Sequence, residues 1–122
     1  MILDTACKLL ALHKAGIAHC DVRCENVLIT SHRERRYTAK ITDFGSAATD
    51  VDDSRVSEGG GQPPVSYPCC APEAFGFVKV DQFKFLDVYS YGIVALSVLL
   101  GVYNPFRGVL CKLEAIAEVA SS

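Results

Sequence analysis

Two carboxylates and one carboxamide stand where they could meet. Asp21 and Asn26 are five residues apart, and the apolar, β-branched run Val27-Leu28-Ile29 follows at once. Asp43 comes next, directly after a second short run from Thr38 to Thr42. Oxygen donors at the ends of paired strands can converge on one point. Such a set suits a hard cation like Mg2+, which takes one or two protein carboxylates and fills its remaining positions with water and phosphate oxygens. Asn26 and Asp43 are therefore the candidate metal ligands. Asp21 is then placed to orient an attacking hydroxyl and accept its proton.

The elements that must position these groups can be read along the chain. Residues Ile2 to Ala15 carry Ile2, Leu3, Ala6, Leu9, Leu10 and His13 at three- and four-residue spacing, which predicts an amphipathic helix. Gly16 is placed to end it with a left-handed cap. His13, on the apolar stripe, reads as a packed or edge histidine. Val27 to Thr30 and Ala39 to Thr42 read as antiparallel strands, joined by the basic stretch 31–37 as a solvated hairpin tip or a docking patch for an acidic partner. From Asp43 to Glu73 the middle is acidic and polar, then glycine- and proline-rich, and should be mobile unless tied down. Asp87 to Leu100 is apolar on nearly every face, which predicts a buried helix begun by Asp87 and broken at Asn104-Pro105. Leu110 to Ala120 reads as a further amphipathic helix.

Composition narrows the class. The chain has 122 residues, half of them hydrophobic, and a net charge of −2, which describes a globular unit and gives no sign of nucleic-acid or membrane-surface binding. No signal sequence is evident at Met1, and the longest apolar stretch, Gly92 to Tyr103, looks too short to span a bilayer. None of the six cysteines forms a C-x-x-C pair. Reduced, partly buried thiols in a cytoplasmic protein are the preferred reading over a zinc site built from Cys20, Cys24 and the Cys69-Cys70 pair.

Four motifs occur in order: His19-x-Asp21-x4-Asn26, Asp43-Phe44-Gly45, Ala71-Pro72-Glu73, and Asp87-Val88-Tyr89-Ser90-Tyr91-Gly92. Each alone is weak, and its residues would also serve as turn formers. In this order and near this spacing they resemble the catalytic half of a protein kinase. The resemblance implies an α+β, protein kinase-like fold: a mainly helical C-lobe fragment with a small β-hairpin. Residues 1–122 would form a partial kinase domain lacking its N-lobe and last helices. It implies ATP and Mg2+ as cofactors and a protein substrate, with no nucleic acid and no membrane span.

By the same resemblance, Asp21, Arg23 and Asn26 are the catalytic candidates. Arg23, Glu25, Asn26, Leu28 and Asp43 would face the nucleotide and its metal, with Leu28 as the floor under the adenine. Phe44 would pack with His19, and Asp87 would bond the backbone of the catalytic loop. Glu25 before Asn26 is the serine/threonine pattern. Ser66 would contact Asp21, and Ser54, Ser57 and Ser66 are candidate phosphorylation sites. Cys20 stands where most kinases carry an Arg that reads a phosphorylated loop, so switching through that position is not expected. Arg23 replaces the usual Lys. These residues include no glycine-rich phosphate loop and no strand lysine, since Gly59-Gly60-Gly61 neither follows a strand nor opens a helix. The chain alone is expected to be inactive, with Glu73 solvated. The competing expectation is a non-catalytic, pseudokinase-like scaffold or interaction module.

Overall fold

In the computed structural model, residues 2–31, 33–34, 36–49, 59–63 and 69–106 are described. Helix α1 (Ile2–Lys14) leads into strand β1 (Ile17–Ala18) and a short 3-10 turn at Cys24–Asn26. A hairpin follows, made of β2 (Val27–Ser31) and β3 (Tyr37–Ile41), and then β4 (Ala48–Thr49). Beyond these come β5 (Gly60–Gly61), a 3-10 turn at Pro72–Phe75, β6 (Val78–Lys79), another such turn at Val80–Gln82, and helix α2 (Phe83–Leu100).

Helix α1 ends as its sequence demands. Gly16 adopts a φ of 76°, and its N–H returns to the carbonyl of His13. The stripe is narrower than its spacing suggests. Leu9 and Thr5 are buried, but Leu3 is 75% exposed and Leu10 is also exposed. The hairpin is antiparallel, with Val27 opposite Ile41 and Ile29 opposite Ala39, so the second strand runs from Tyr37 rather than Ala39. Because side chains alternate across a strand, Ala39 turns inward and is fully buried, while Leu28 faces the other way.

The stretch after Asp43 is tied down at two points. β4 pairs with β1, placing Ala48 opposite Ala18, and β5 pairs with β6, placing Gly60 opposite Lys79. Side-chain-free backbone is essential in the second ladder, since a Cβ on Gly60 would sit 2.1 Å from the Val78 carbonyl oxygen. Ser54, Ser57, Ser66 and the Leu110–Ala120 helix lie outside the described residues.

Helix α2 ends at Leu100 as expected, and departs from expectation in where it begins, what ends it and which faces it buries. It begins at Phe83, so Asp87 sits inside the helix and does not cap it. It ends at Leu100 because Gly101 takes a φ of 67° and its N–H bonds back to Ser97 and Val98, before Asn104-Pro105 is reached. It is also one-sided. Phe83, Leu86, Asp87, Ser90, Ile93, Val94 and Ser97 are buried, whereas Phe85, Val88, Leu96 and Leu99 are exposed. With the turn before it, Val80–Leu100 is 21 residues of mean hydropathy 1.5, long and apolar enough by length and composition to cross a membrane. This supersedes the shorter stretch read from sequence. Its polar residues are used inside the protein: the Ser90 hydroxyl donates to the Cys69 carbonyl at 2.6 Å, and the Ser97 hydroxyl donates to the Ile93 carbonyl at 2.8 Å.

Two apolar clusters flank the loop that carries Asp21. One gathers Ala18, Ala48, Ala71, Ala74, Val78, Phe83 and Leu86. The other joins Leu9, Val22, Cys69, Ile93 and Val94, with Cys24 and Ile41 packed against it. Val22 therefore anchors the loop in the core one residue beyond Asp21.

Candidate active site

The loop is held from below by one buried carboxylate. Asp87 Oδ2 accepts the His19 N–H at 2.7 Å, and Oδ1 accepts the Cys20 N–H at 2.8 Å. The His13 ring pairs with the same carboxylate at 2.8 Å, which makes His13 a packed histidine as expected. A buried carboxylate is tolerable only when its oxygens are satisfied, and here the loop backbone and an imidazole do that.

His19 then ties the loop to the strand that delivers Asp43. Its Nε2 bonds the Thr42 carbonyl at 2.8 Å, and the Asp21 N–H donates to Nδ1 at 3.1 Å. Nδ1 must therefore be the acceptor, so Nε2 carries the proton. The Phe44 ring meets His19 edge-on, with centroids 5.1 Å apart and planes at 62°. The pairing of Phe44 with His19 is thus as the motif resemblance implied.

Asn26 joins the two halves. Its side-chain nitrogen donates to the Asp21 backbone carbonyl at 2.8 Å and to Asp21 Oδ2 at 3.2 Å. Its own backbone carbonyl accepts the Thr42 N–H at 2.8 Å. Asp21, Asn26 and Asp43 are therefore linked through short hydrogen-bonded steps. Cys20 and Asp43 both have left-handed backbone, with φ of 65° and 60°, which is uncommon for residues with a Cβ. The Gly45 N–H accepts this geometry by donating to Asp43 Oδ1 at 3.3 Å. With its nitrogen committed to Asp21, the Asn26 side chain presents Oδ1 as its acceptor, and the exposed Asp43 supplies carboxylate oxygens. That donor set fits a hard cation.

Arg23 and Glu25, expected to face the nucleotide, are paired with each other. The Arg23 Nε donates to Glu25 Oε2 at 2.8 Å, and the Tyr103 hydroxyl donates to the other Glu25 oxygen. This hydrogen bond, together with the nearby carboxylates of Glu25 and Asp21, raises the Arg23 guanidinium further despite some desolvation. Partial burial is the largest single influence on the Glu25 carboxyl and raises it, but the bond from Arg23, a backbone hydrogen bond and the Arg23 charge together outweigh it, so the pKa lies below its ordinary 4.5. The pair therefore turns toward each other at the loop surface. Tyr103 had no signal in the sequence, whereas opposite charges two residues apart in a tight turn could have flagged the pair.

Leu28 is 50% exposed on the outer hairpin face. Glu73 is exposed, as expected, while Ala71 beside it is buried. A small cleft beside Asp21 is lined by Cys20, Cys69, Cys70 and Asp87. A larger cavity of about 200 Å3, lined by His13, Ile17, Thr49, Phe83 and Lys84, is bordered by none of Asp21, Asn26 or Asp43. Among the described residues no group of three or more His, Cys, Asp or Glu side chains could hold a metal ion, which removes the cysteine-based zinc arrangement.

Comparison with known proteins gives the family. Residues 1–119 match the protein kinase domain, and the chain belongs to that family. It is 38% identical over 96 residues to CBL-interacting serine/threonine-protein kinase 15 of Arabidopsis thaliana, covering 78% of this chain and 21% of that protein. It is 32% identical over 109 residues to mouse (Mus musculus) tyrosine-protein kinase TXK, covering 88% and 19%. It is 37% identical over 95 residues to MAP kinase-activated protein kinase 2 of Oryctolagus cuniculus, covering 78% and 24%. The chain thus spans about a fifth of the length of these relatives.

Proposed function

We propose that these residues form the C-lobe part of a protein kinase domain that transfers the γ-phosphoryl group of ATP to a serine or threonine hydroxyl of a protein. The observation that carries this reading is the brace beneath Asp21: Asp87 holds the two backbone N–H groups before it, and Asn26 holds its carbonyl and carboxylate. A base held on that frame can meet a hydroxyl without reorganising. Asp21 takes the hydroxyl proton. Asn26 and Asp43 are the residues that would hold Mg2+, whose charge offsets that of the phosphates. Leu28, apolar and half-exposed, suits the face of an adenine. Relatives named as serine/threonine and as tyrosine kinases both match, and Glu25 directly before Asn26 supports the former. The exposed Arg33 and Arg36 of the hairpin tip suit an acidic docking partner. A cytoplasmic setting accords with the thiols of Cys7, Cys24, Cys69 and Cys70, which form no disulfide among the described residues.

A second reading, a non-catalytic scaffold, is favoured by one contact. Arg23 is paired with Glu25, which draws its charge away from a phosphate. The test is Mg2+-dependent phosphate transfer from ATP by the product of the whole reading frame containing these residues, beside its Asp21→Asn variant and residues 1–122 alone. The kinase reading expects transfer that falls by roughly 10²–10⁴-fold in the variant, and none from residues 1–122. Equal transfer in parent and variant would refute the role of Asp21. No transfer in either, with partner binding intact in both, would establish the scaffold.

A further inference from the structure

The cavity of about 200 Å3 opens where the end of α1, β1, β4 and the start of α2 meet, and it plays no part in the site around Asp21. Its apolar side is made by Ile17 and Ala18 from β1, Ala48 from β4, and the Phe83 ring, which is 1% exposed. That volume exceeds the roughly 150 Å3 that admits benzene and falls short of the roughly 300–1,000 Å3 of pockets for drug-sized ligands. It suits one ring or one branched side chain. The charged groups that line it carry both signs. Asp81 stands in the turn before α2 and Lys84 in the first turn of that helix, and both are exposed. No ion pair joins the two among the described residues, and the Lys84 ammonium lies 5.4 Å from the centroid of its neighbour Phe85. An ammonium and a carboxylate on one carbon match this separated pair together, whereas a ligand with a single charge leaves one of the two unmatched.

We propose that this cavity binds a free α-amino acid with an apolar side chain of the size of phenylalanine, the side chain toward Phe83 and the two charges toward Asp81 and Lys84. Affinity comes from the side chain leaving water, and the exposed charges select the zwitterion. The occupant also meets His13, which lines the cavity and whose ring bonds the Asp87 carboxylate at 2.8 Å. Asp87 in turn holds the His19 and Cys20 N–H groups. Cavity and catalytic loop therefore share one hydrogen-bonded path, and an occupant that fixes the His13 ring is registered at the Cys20 amide.

The test is NMR of the product of the whole reading frame containing these residues, labelled at isoleucine methyl groups and cysteine amides and titrated with L-phenylalanine. Ile17 lines the cavity, and Ile29 in β2 does not border it and serves as the control. The Ile17 methyl and Cys20 amide signals should move along one saturation curve while Ile29 stays still. 3-Phenylpropionate, which lacks the ammonium, and phenethylamine, which lacks the carboxylate, should bind about two- to five-fold more weakly, the range for exposed charge pairs. Asp81→Asn should abolish the disadvantage of 3-phenylpropionate, and Lys84→Gln that of phenethylamine, since each variant removes the partner of the missing charge. No Ile17 shift at millimolar phenylalanine, or an equal shift at Ile29, would overturn the site. Equal binding of the three ligands by the parent would overturn the choice of a zwitterion, and an Ile17 shift with a still Cys20 amide would overturn the path to the loop. All of these outcomes read binding and not phosphate transfer, so none of them bears on the kinase reading. Should either variant fail to fold, the three ligands on the parent still decide.

Discussion

The carboxylate of Asp87 accepts the backbone N–H of His19 at 2.7 Å, although the residues are 68 positions apart in sequence. A second oxygen takes the Cys20 N–H at 2.8 Å, so a single side chain with 1% exposure sets the direction in which the loop presents Asp21. Asp87→Asn keeps the shape but replaces one acceptor by an NH2 group that faces a backbone N–H. Leaving a buried donor unpaired costs about 1–3 kcal/mol, and loss of a charge-assisted bond adds to it. The variant is expected to lose about 2–4 kcal/mol of stability, read as a lower urea midpoint with unchanged slope. A midpoint equal to that of the parent would show that the brace is unimportant.

The Arg23–Glu25 pair gives a small acid-side effect. Glu25 has a folded-state pKa below its ordinary value, so the folded form releases its proton more readily than the unfolded one. Stability from the pair is present above pH 4.5 and is lost as pH falls through the lower folded value. The side chains are 35% and 38% exposed, so solvent and salt screen the attraction. We expect Glu25→Gln to lower stability at pH 7 by less than about 1 kcal/mol, with the difference vanishing in acid and shrinking at high salt. Denaturant titrations at two pH values and two salt concentrations measure this directly.

Cys69 produces the opposite dependence at alkaline pH. Burial is the main cause that pushes its thiol to about 11, helped by repulsion from Cys24 and Glu25. The folded state therefore binds the proton more tightly than the unfolded state, whose value is 9.0. Stability is complete below pH 9 and falls as pH rises toward 11. The loss is on the order of 1–2 kcal/mol. Urea midpoints at pH 8 and pH 10.5 should converge in Cys69→Ser relative to the parent. A parallel fall in both proteins would assign the alkaline effect to other groups.

How much of this was legible beforehand depends on the kind of pattern involved. The hairpin follows from its two short β-branched runs, and α1 from its helical spacing and Gly16, because each is a local signal. The pairing of Asn26 with Asp21 was readable only through the motifs, since no local period in the sequence signals it. The one-sidedness of α2 was hidden because nearly every position is apolar, and burial is decided by what packs against each face. Asp87 was mistaken for a cap because sequence alone cannot show that Phe83 already begins the helix. The β5–β6 bridge had no signal, because it is too short to carry a period.

Gly60 and Gly59 offer a clean comparison of two glycine requirements. Gly59 has a φ of 79° with nothing within 4 Å of its would-be Cβ, so alanine there meets only the left-handed backbone cost, about 1 kcal/mol. At Gly60 the new Cβ would lie 2.1 Å from the Val78 carbonyl oxygen and 2.9 Å from the Lys79 Cα, both of them backbone atoms. Neither can rotate away, so β5 must part from β6 to admit it. Because Val78 is buried beside Ala74 and Phe83, that separation also loosens the cluster beneath the loop. Gly60→Ala is therefore expected to cost about 1–3 kcal/mol more than Gly59→Ala, the usual range for forced overpacking. It should also speed amide exchange at Val80, whose N–H bonds the Gly59 carbonyl at 3.0 Å. Equal thermal midpoints for the two variants would mean that the β5–β6 contact yields at no cost.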